Sequence, residues 1–336
     1  MTIGRRLRMA AIASLLALAA AGCAKSDAGS REQDKVLQYL GTAGSVILPE
    51  LAEALGYFET IRLERVGNSV GGPESIQLAA TGEIDFGVAF QGAILKSYAK
   101  GVKVKAVIAS SGTSNGNGLY GYVLEDSGID SGRDLIGKKV AVNILGANLE
   151  FVTKAYLKNE GLTDDEIRTV SFITLPASNY ELGLRNRQVD LVLLSGINQE
   201  VALSHGGLKE LFRERDVVGQ DYISNSFFFS ESYIRRNPDT VREFTAGVAR
   251  AIEWIKAKPR EDIIAKMEEI IRNRGNNETT DLLQYYKKPG IATEGGLLSE
   301  FDFQIVLDWL EENGEIENGR VKAADVFTNE FNPYAD

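Results

Sequence analysis

The chain has 336 residues, of which 44% are hydrophobic and 25% charged, and a formal net charge of −10. Those proportions belong to a globular chain long enough for two lobes, which argues against a disordered or membrane-filling protein. No basic cluster follows the first few residues, and phosphate binding depends on concentrated Lys and Arg, so nucleic acid is not an expected partner.

The N-terminus reads as a targeting segment. Arg5, Arg6 and Arg8 form a positive region, and Met9 to Ala21 form an apolar run too short to span a bilayer. Cys23 is the only cysteine of the chain, so it has no partner for an internal disulfide. Its place after Ala20-Ala21-Gly22 resembles a bacterial lipoprotein signal, although Ala20 stands where such signals usually carry a larger apolar residue. The resemblance implies that residues 1–22 are a signal peptide and that Cys23 is acylated. Loss of three arginines would take the net charge from −10 to −13. Residues 23–34 are polar without apolar periodicity and read as a flexible tether. The expected location is the cell envelope, lipid-anchored outside the cytoplasmic membrane on the periplasmic or extracellular face.

From Val36 onward, strands and helices alternate. Val36 to Leu40 predicts a strand that breaks at Gly41-Thr42-Ala43-Gly44-Ser45 and resumes as a helix with Ile47, Leu51, Ala54 and Leu55 on one face. Such a turn leaves helix N–H groups facing outward, a ready site for an anion or a polar ligand edge. Ile61 to Val66 is the next strand, and Pro73-Glu74-Ser75 opens the next helix. Ile84 to Phe90 and Val102 to Ala109 follow as strands, each ending in Gly, Ser, Thr, Asn or Gln. Alternation of this kind predicts a parallel sheet covered on both faces, with ligand-binding loops along one edge. Tyr120 to Leu124 leaves this lobe, and Val140 to Val142, Val170 to Leu175 and Val189 to Leu194 build a second one. Ser226 to Phe229 returns, and from Pro238 to about Asn313 the chain reads as mostly helical. Asp85 and Asp190 stand at equivalent points before apolar strands and read as structural.

Five short stretches carry a resemblance to a known family. They are Leu55-Gly56-Tyr57-Phe58-Glu59, Gly82 to Val88, Asp134 to Val142, Arg187-Gln188-Val189-Asp190, and Asn237-Pro238-Asp239-Thr240-Val241. In order and spacing over nearly the whole mature chain they resemble the substrate-binding lipoproteins of ABC importers in the nitrate/sulfonate/taurine/thiamine-precursor (NMT1/THI5-like) group. The fold implied is α/β, the type II periplasmic-binding-protein fold, with two α/β lobes joined by two crossing strands and a ligand cleft between them. Lobe I would take residues 35–120 and 228–336, and lobe II residues 121–227. The family's contact loops fall here on Thr42, Ala43 and Gly44, on Ser69 and Gly71, on Gln91, on Ser111 and Gly112, on Gly146, Ala147 and Asn148, and on Ser195 and Asn198. Where relatives often carry Trp with an acidic residue, this chain has Ser195-Gly196-Ile197-Asn198, which implies a larger ligand or a more polar floor.

An enzyme needs a nucleophile, a general base or a metal set. His205 is the single histidine and precedes Gly206-Gly207 at a helix end, so neither a Cys/His nor a Ser/His arrangement can be built. The expectation is therefore a binding protein without catalytic residue, metal or cofactor, working as a monomer with ABC permease subunits as partners. A type II binding-fold enzyme of cofactor biosynthesis, or a ligand-sensing signalling lipoprotein, is the alternative. None of the expected contact loops contains Lys or Arg, so sulfonate and carboxylate monoanions and neutral heterocycles, pyrimidine-like or flavin-like, all remain as ligands. For the anchor, Cys23→Ser is expected to leave an unprocessed or freely soluble protein. Fractionation of that variant with membranes and incorporation of labelled fatty acid, both as in the wild type, would refute the lipid anchor.

Overall fold

The computed structural model describes residues 33–275 and 278–335. Cys23, the signal peptide 1–22 and all but the last two residues of the tether lie outside the described residues.

The first lobe begins with β1 (Val36–Gly41), α1 (Leu48–Ala54), β2 (Arg62–Asn68) and α2 (Gly72–Thr81). It continues with β3 (Phe86–Phe90), α3 (Gln91–Ala99) and β4 (Val104–Gly112). The second lobe holds β5 (Tyr120–Leu124), β6 (Lys139–Val142), α4 (Asn148–Asn159), α5 (Asp164–Arg168) and β7 (Ser171–Thr174). Then come α6 (Tyr180–Arg185), β8 (Val192–Leu194), α7 (Gly196–Ser204), β9 (Leu208–Arg213) and α8 (Glu214–Val218). The chain returns through β10 (Ile223–Ser230) to α9 (Glu231–Arg236), α10 (Pro238–Ala257), α11 (Arg260–Asn273) and α12 (Glu300–Glu312).

Both lobes repeat one design. In the first, β1 and β2 pair in parallel, and β10 lies antiparallel between β3 and β4. In the second, β6 and β7 pair in parallel, and β5 lies antiparallel between β8 and β9. One aspartate in each lobe welds the two parts together. The Asp85 N–H donates to the Gln38 carbonyl at 2.9 Å, while its carboxylate accepts the Gln38 N–H at 2.7 Å. Asp190 does the same with Lys139, donating its N–H to the carbonyl and accepting the N–H, both at 2.8 Å. Both aspartates are structural, in equivalent positions.

Two expectations are corrected. The sheets are mixed rather than parallel, because the strand that crosses from the other lobe arrives from the opposite direction, and residue periodicity carries no strand direction. The crossings themselves lie at 113–119 and 214–222: β10 already pairs with β4 at Ile223, so the return precedes the expected boundary at 227/228. Tyr120–Leu124 and Asn225–Phe229 are therefore central strands, paired on both sides and too constrained to bend. The C-terminal part is mostly helical, as expected; the interruptions expected near Gly275, Pro289 and Gly295 fall in 274–299, where the described residues hold the short 3-10 turns Asp281–Tyr285 and Glu294–Gly296. Gly290, Gly295 and Gly296 there adopt positive φ, which ends helical geometry. The strand β9 is missing from the reading because its sequence, LKELFR, buries only Phe212.

Burial explains the Phe227-Phe228-Phe229 run. A central strand covered on both faces carries apolar residues consecutively, and all three rings are wholly buried. Phe244 of α10 meets Phe86 with ring centroids 4.7 Å apart and Phe229 at 5.1 Å. Among the described residues no helix is long and apolar enough to cross a membrane. Removing the weld tests the repeat: Asp85→Ala and Asp190→Ala are each expected to cost about 1–3 kcal/mol, since an N–H at a strand edge loses its acceptor. Urea unfolding measures it, and full stability in both variants would show that the aspartates join nothing.

Candidate functional site

The strand-end loops of both lobes enclose a cleft of ≈ 510 Å³. Lobe I contributes Thr42, Ser69 to Pro73, Ser75, Val88 to Phe90, Ser110 to Gly112, Ser224 and Asn225. Lobe II contributes Asn143, Ala147 to Leu149, Ser195 and Gly196, while Asn117 to Leu119 and Glu214 form the floor at the crossings. Lys287, Lys288 and Pro289 reach the cleft because the C-terminal segment is strapped to the end of β4. The Gly112 N–H donates to the Pro289 carbonyl at 3.0 Å and the Ser114 N–H to the Gly290 carbonyl at 3.2 Å. A second chamber of ≈ 610 Å³ adjoins the first and shares Ser69, Val70, Leu119, Asn143, Leu149 and Ser195 with it. Its remaining wall is mostly apolar and belongs to lobe II: Ile144, Leu175, Pro176, Ala177, Leu193 and Leu194, with Thr174, Tyr180 and Asn198 as polar members.

Of the residues expected from the sequence, Thr42, Ser69, Gly71, Ser111, Gly112, Ala147, Asn148 and Ser195 line the first chamber, and Asn198 lines the second. Ala43 and Gly44 lie outside both; Ala43 is exposed, and the Gly44 N–H is taken by the Glu278 carboxylate at 2.6 Å. Gln91 is wholly buried behind the cleft, its amide donating to the Ile223 carbonyl and the Ser226 hydroxyl. Gly146 faces Lys96 on the outer side, and its N–H donates to Glu150 at 2.8 Å. The helix start at α3 comes one residue after Phe90, which carries Gln91 into the interior instead of leaving it in a loop.

Glu214 is the charged group that sequence reasoning misses. Its carboxyl accepts hydrogen bonds from the Leu119 N–H, the Asn148 amide and the Tyr222 hydroxyl, each at 2.8 Å. Burial pushes its pKa above the ordinary 4.5, and the three donors offset only part of that. Nothing in the run Leu211-Phe212-Arg213-Glu214-Arg215-Asp216 marks one acid as interior. Lys287 is missed as well, lying in a stretch read as mostly helical. Its ammonium pairs with Glu200 of α7 at 2.5 Å, a bridge from lobe I to lobe II, and the Lys288 ammonium donates to the carbonyls of Lys256 and Lys258.

The lobes also touch at the opposite rim. The Asn143 amide donates to the Val70 carbonyl at 3.0 Å, and a Cβ built on Gly71 would meet Ile144 at 2.7 Å and Asn143 at 2.8 Å. Only glycine permits that approach. Farther out, Glu315 pairs with Lys96 of α3 at 2.8 Å and with Lys154 of α4 at 3.6 Å. The cleft thus offers shape, hydrogen bonds and one carboxyl. The lining residues include no histidine or cysteine, and His205 stands apart with its ring nitrogen 2.7 Å from Glu181. Among the described residues no cluster of His, Cys, Asp and Glu could hold a metal ion.

A model of the NMT1/THI5 like family matches residues 50–262. No curated protein matches the chain in sequence. Similar solved structures include the alkanesulfonate-binding protein SsuA from Xanthomonas axonopodis pv. citri, bound to MOPS, at 16% identity and TM-score 0.66, covering 88% of this chain and 99% of that one. The periplasmic nitrate-binding protein NrtA from Synechocystis PCC 6803 superposes with TM-score 0.68 at 11% identity, covering 88% and 87%. The desulfurization enzyme DSZB follows with TM-score 0.56 at 13% identity, covering 89% and 97%. At these identities the likeness is one of fold.

Glu214 makes stability depend on pH. Its folded pKa is raised, so the native state holds the proton more tightly than the unfolded chain, and stability falls as pH rises from about 4.5 toward the folded value. In Glu214→Gln that contribution to the slope is expected to vanish. Chemical unfolding of both proteins across pH 4 to 8 checks this; parallel slopes would contradict it.

Proposed function

The chain belongs to the NMT1/THI5-like family, and on that premise we propose that it is a solute-binding protein that holds a small organic ligand between its lobes and delivers it to an ABC permease. The observation that carries this reading is the cleft itself, walled by strand-end loops of both lobes and rich in Ser, Thr and Asn. Such a site binds across a hinge, so ligand contacts and lobe closure share one free energy. SsuA and NrtA, which share the fold, are named for binding alkanesulfonate and nitrate. Under this reading Cys23 carries the lipid anchor, the protein works as a monomer, and the closed form is the one offered to the permease.

The lining supports binding over turnover. A nucleophile here would need a nearby base, and among the described lining residues the one carboxyl is already engaged by three donors. Calorimetry of the mature protein against sulfonates, carboxylates, pyrimidines and flavins tests the proposal, with mass spectrometry of the recovered ligand. Conversion of a bound compound would move the protein to the enzyme alternative; the desulfurization enzyme DSZB has a similar fold.

Gly71 supplies a sharper test of closure. Gly71→Val adds atoms where Ile144 and Asn143 already stand within 2.8 Å of a Cβ, so it should hold the rim apart. A ligand found in the screen is expected to bind Gly71→Val at least about tenfold more weakly, a penalty of about 1.4 kcal/mol. X-ray scattering should show the variant failing to contract on saturation. Equal affinity and equal contraction would separate closure from binding.

A further inference from the structure

We propose that the ligand is an amphiphile, with a neutral or cationic head that donates hydrogen bonds in the first chamber and an apolar arm in the second. This rests on the solute-binding reading above and narrows it. Read from the sequence, N–H groups at helix starts could hold a monoanion or equally the edge of a neutral heterocycle. In the structure several N–H groups just ahead of those helices and at the floor are already used. The Val70 N–H donates to Glu74 at 2.9 Å, the Gly71 N–H to the Ser69 hydroxyl at 3.1 Å, and the Leu119 N–H to Glu214 at 2.8 Å. Beyond the lining, Glu278 and Glu150 take the Gly44 and Gly146 N–H groups in the same way. The protein's own carboxylates thus take part of the backbone donor set that precedes the helix starts. The two lysines of the lining are held as well, Lys287 by Glu200 and Lys288 by two carbonyls.

Among the described side chains of the first chamber, the buried polar atoms left without a partner are acceptors. Asn148 is 6% exposed and gives its amide hydrogen to Glu214, which fixes the carbonyl Oδ1 as the side left over; that atom is buried without a hydrogen-bond partner. Asn143 spends its amide on Val70 and leaves a buried, unpartnered Oδ1 in the same way. Both residues line the first chamber, and each unmet carbonyl calls for a donor. A sulfonate or nitrate would instead bring further acceptors toward these oxygens and the Glu214 carboxyl.

The second chamber asks for the opposite chemistry. Leu149, Leu175, Pro176, Ala177, Leu193 and Leu194 form an apolar wall, and near them Tyr180 presents a buried hydroxyl without a partner. Because the chambers share Asn143, Leu149 and Ser195, one molecule can occupy both.

A matched series of six compounds tests both ends: hexylguanidinium, N-hexylurea and 1-hexanesulfonate, each beside its methyl counterpart, titrated into the full mature protein. At least one of the two hexyl donors is expected to bind at least about tenfold tighter than both its methyl counterpart and hexanesulfonate, since burying an arm of this length is strongly favourable. Ala177→Trp, a change at an exposed position on the arm chamber, should reduce the hexyl advantage to less than about threefold and leave the methyl compound unaffected. Hexanesulfonate binding as tightly as the donors would overturn the head assignment, and affinity independent of arm length would overturn the arm. Silence from all six overturns the inference, while the solute-binding reading is decided separately by the broader screen.

Discussion

The lower half of the cleft hangs from one buried carboxyl. Glu214 is 1% exposed, and an acid so placed is tolerable only because three donors converge on it. Those donors come from different parts of the chain. Leu119 ends the first crossing, Tyr222 ends the second, and Asn148 opens α4 in lobe II. The crossings are further tied by Thr113, whose N–H donates to the Tyr222 carbonyl and whose hydroxyl accepts the Tyr222 N–H. The two connections between lobes are therefore a single hydrogen-bonded joint. Bending about it moves the rims and leaves the floor in place, so the floor can be preorganised while the mouth opens.

Much of the architecture is legible in the sequence, and the reasons are local. Val36–Leu40 with its Gly/Ser turn, Pro73 at the start of α2 and Lys139–Val142 before α4 each combine period and punctuation in one short window. What escapes is set by distant partners. The direction of β5 and β10 depends on which lobe each enters, and the run Phe227–Phe229 says that a strand is central without saying what flanks it. The site shows the same division. Ser69, Ser111, Asn148 and Ser195 belong to strand-end loops and can be placed by order alone. Glu214 and Lys287 look like surface charges until the crossings and the C-terminal strap bring them inward. Gly44 and Gly146 have the right composition for anion cradles, but Glu278 arrives from more than two hundred residues away to fill the first of them.

Carboxylates that reach back ahead of their own helix starts leave fewer backbone donors free for a ligand. An uncapped N-terminus is an invitation to anions, and SsuA and NrtA are named for anionic ligands. Here Glu74 and Glu150 each sit in the first turn of their helix and take the N–H of the residue just ahead of its N-cap, Val70 and Gly146.

The weld at the start of β1 has a mechanical consequence. Asp34 is bound on three sides by lobe I: its N–H and carboxylate engage the Asn237 amide, and its carbonyl accepts the Thr240 hydroxyl. Any pull transmitted along the chain from its N-terminal side is therefore delivered to lobe I at the head of α10. If that side is fastened to a membrane, lobe I becomes the stationary jaw and lobe II the one that swings.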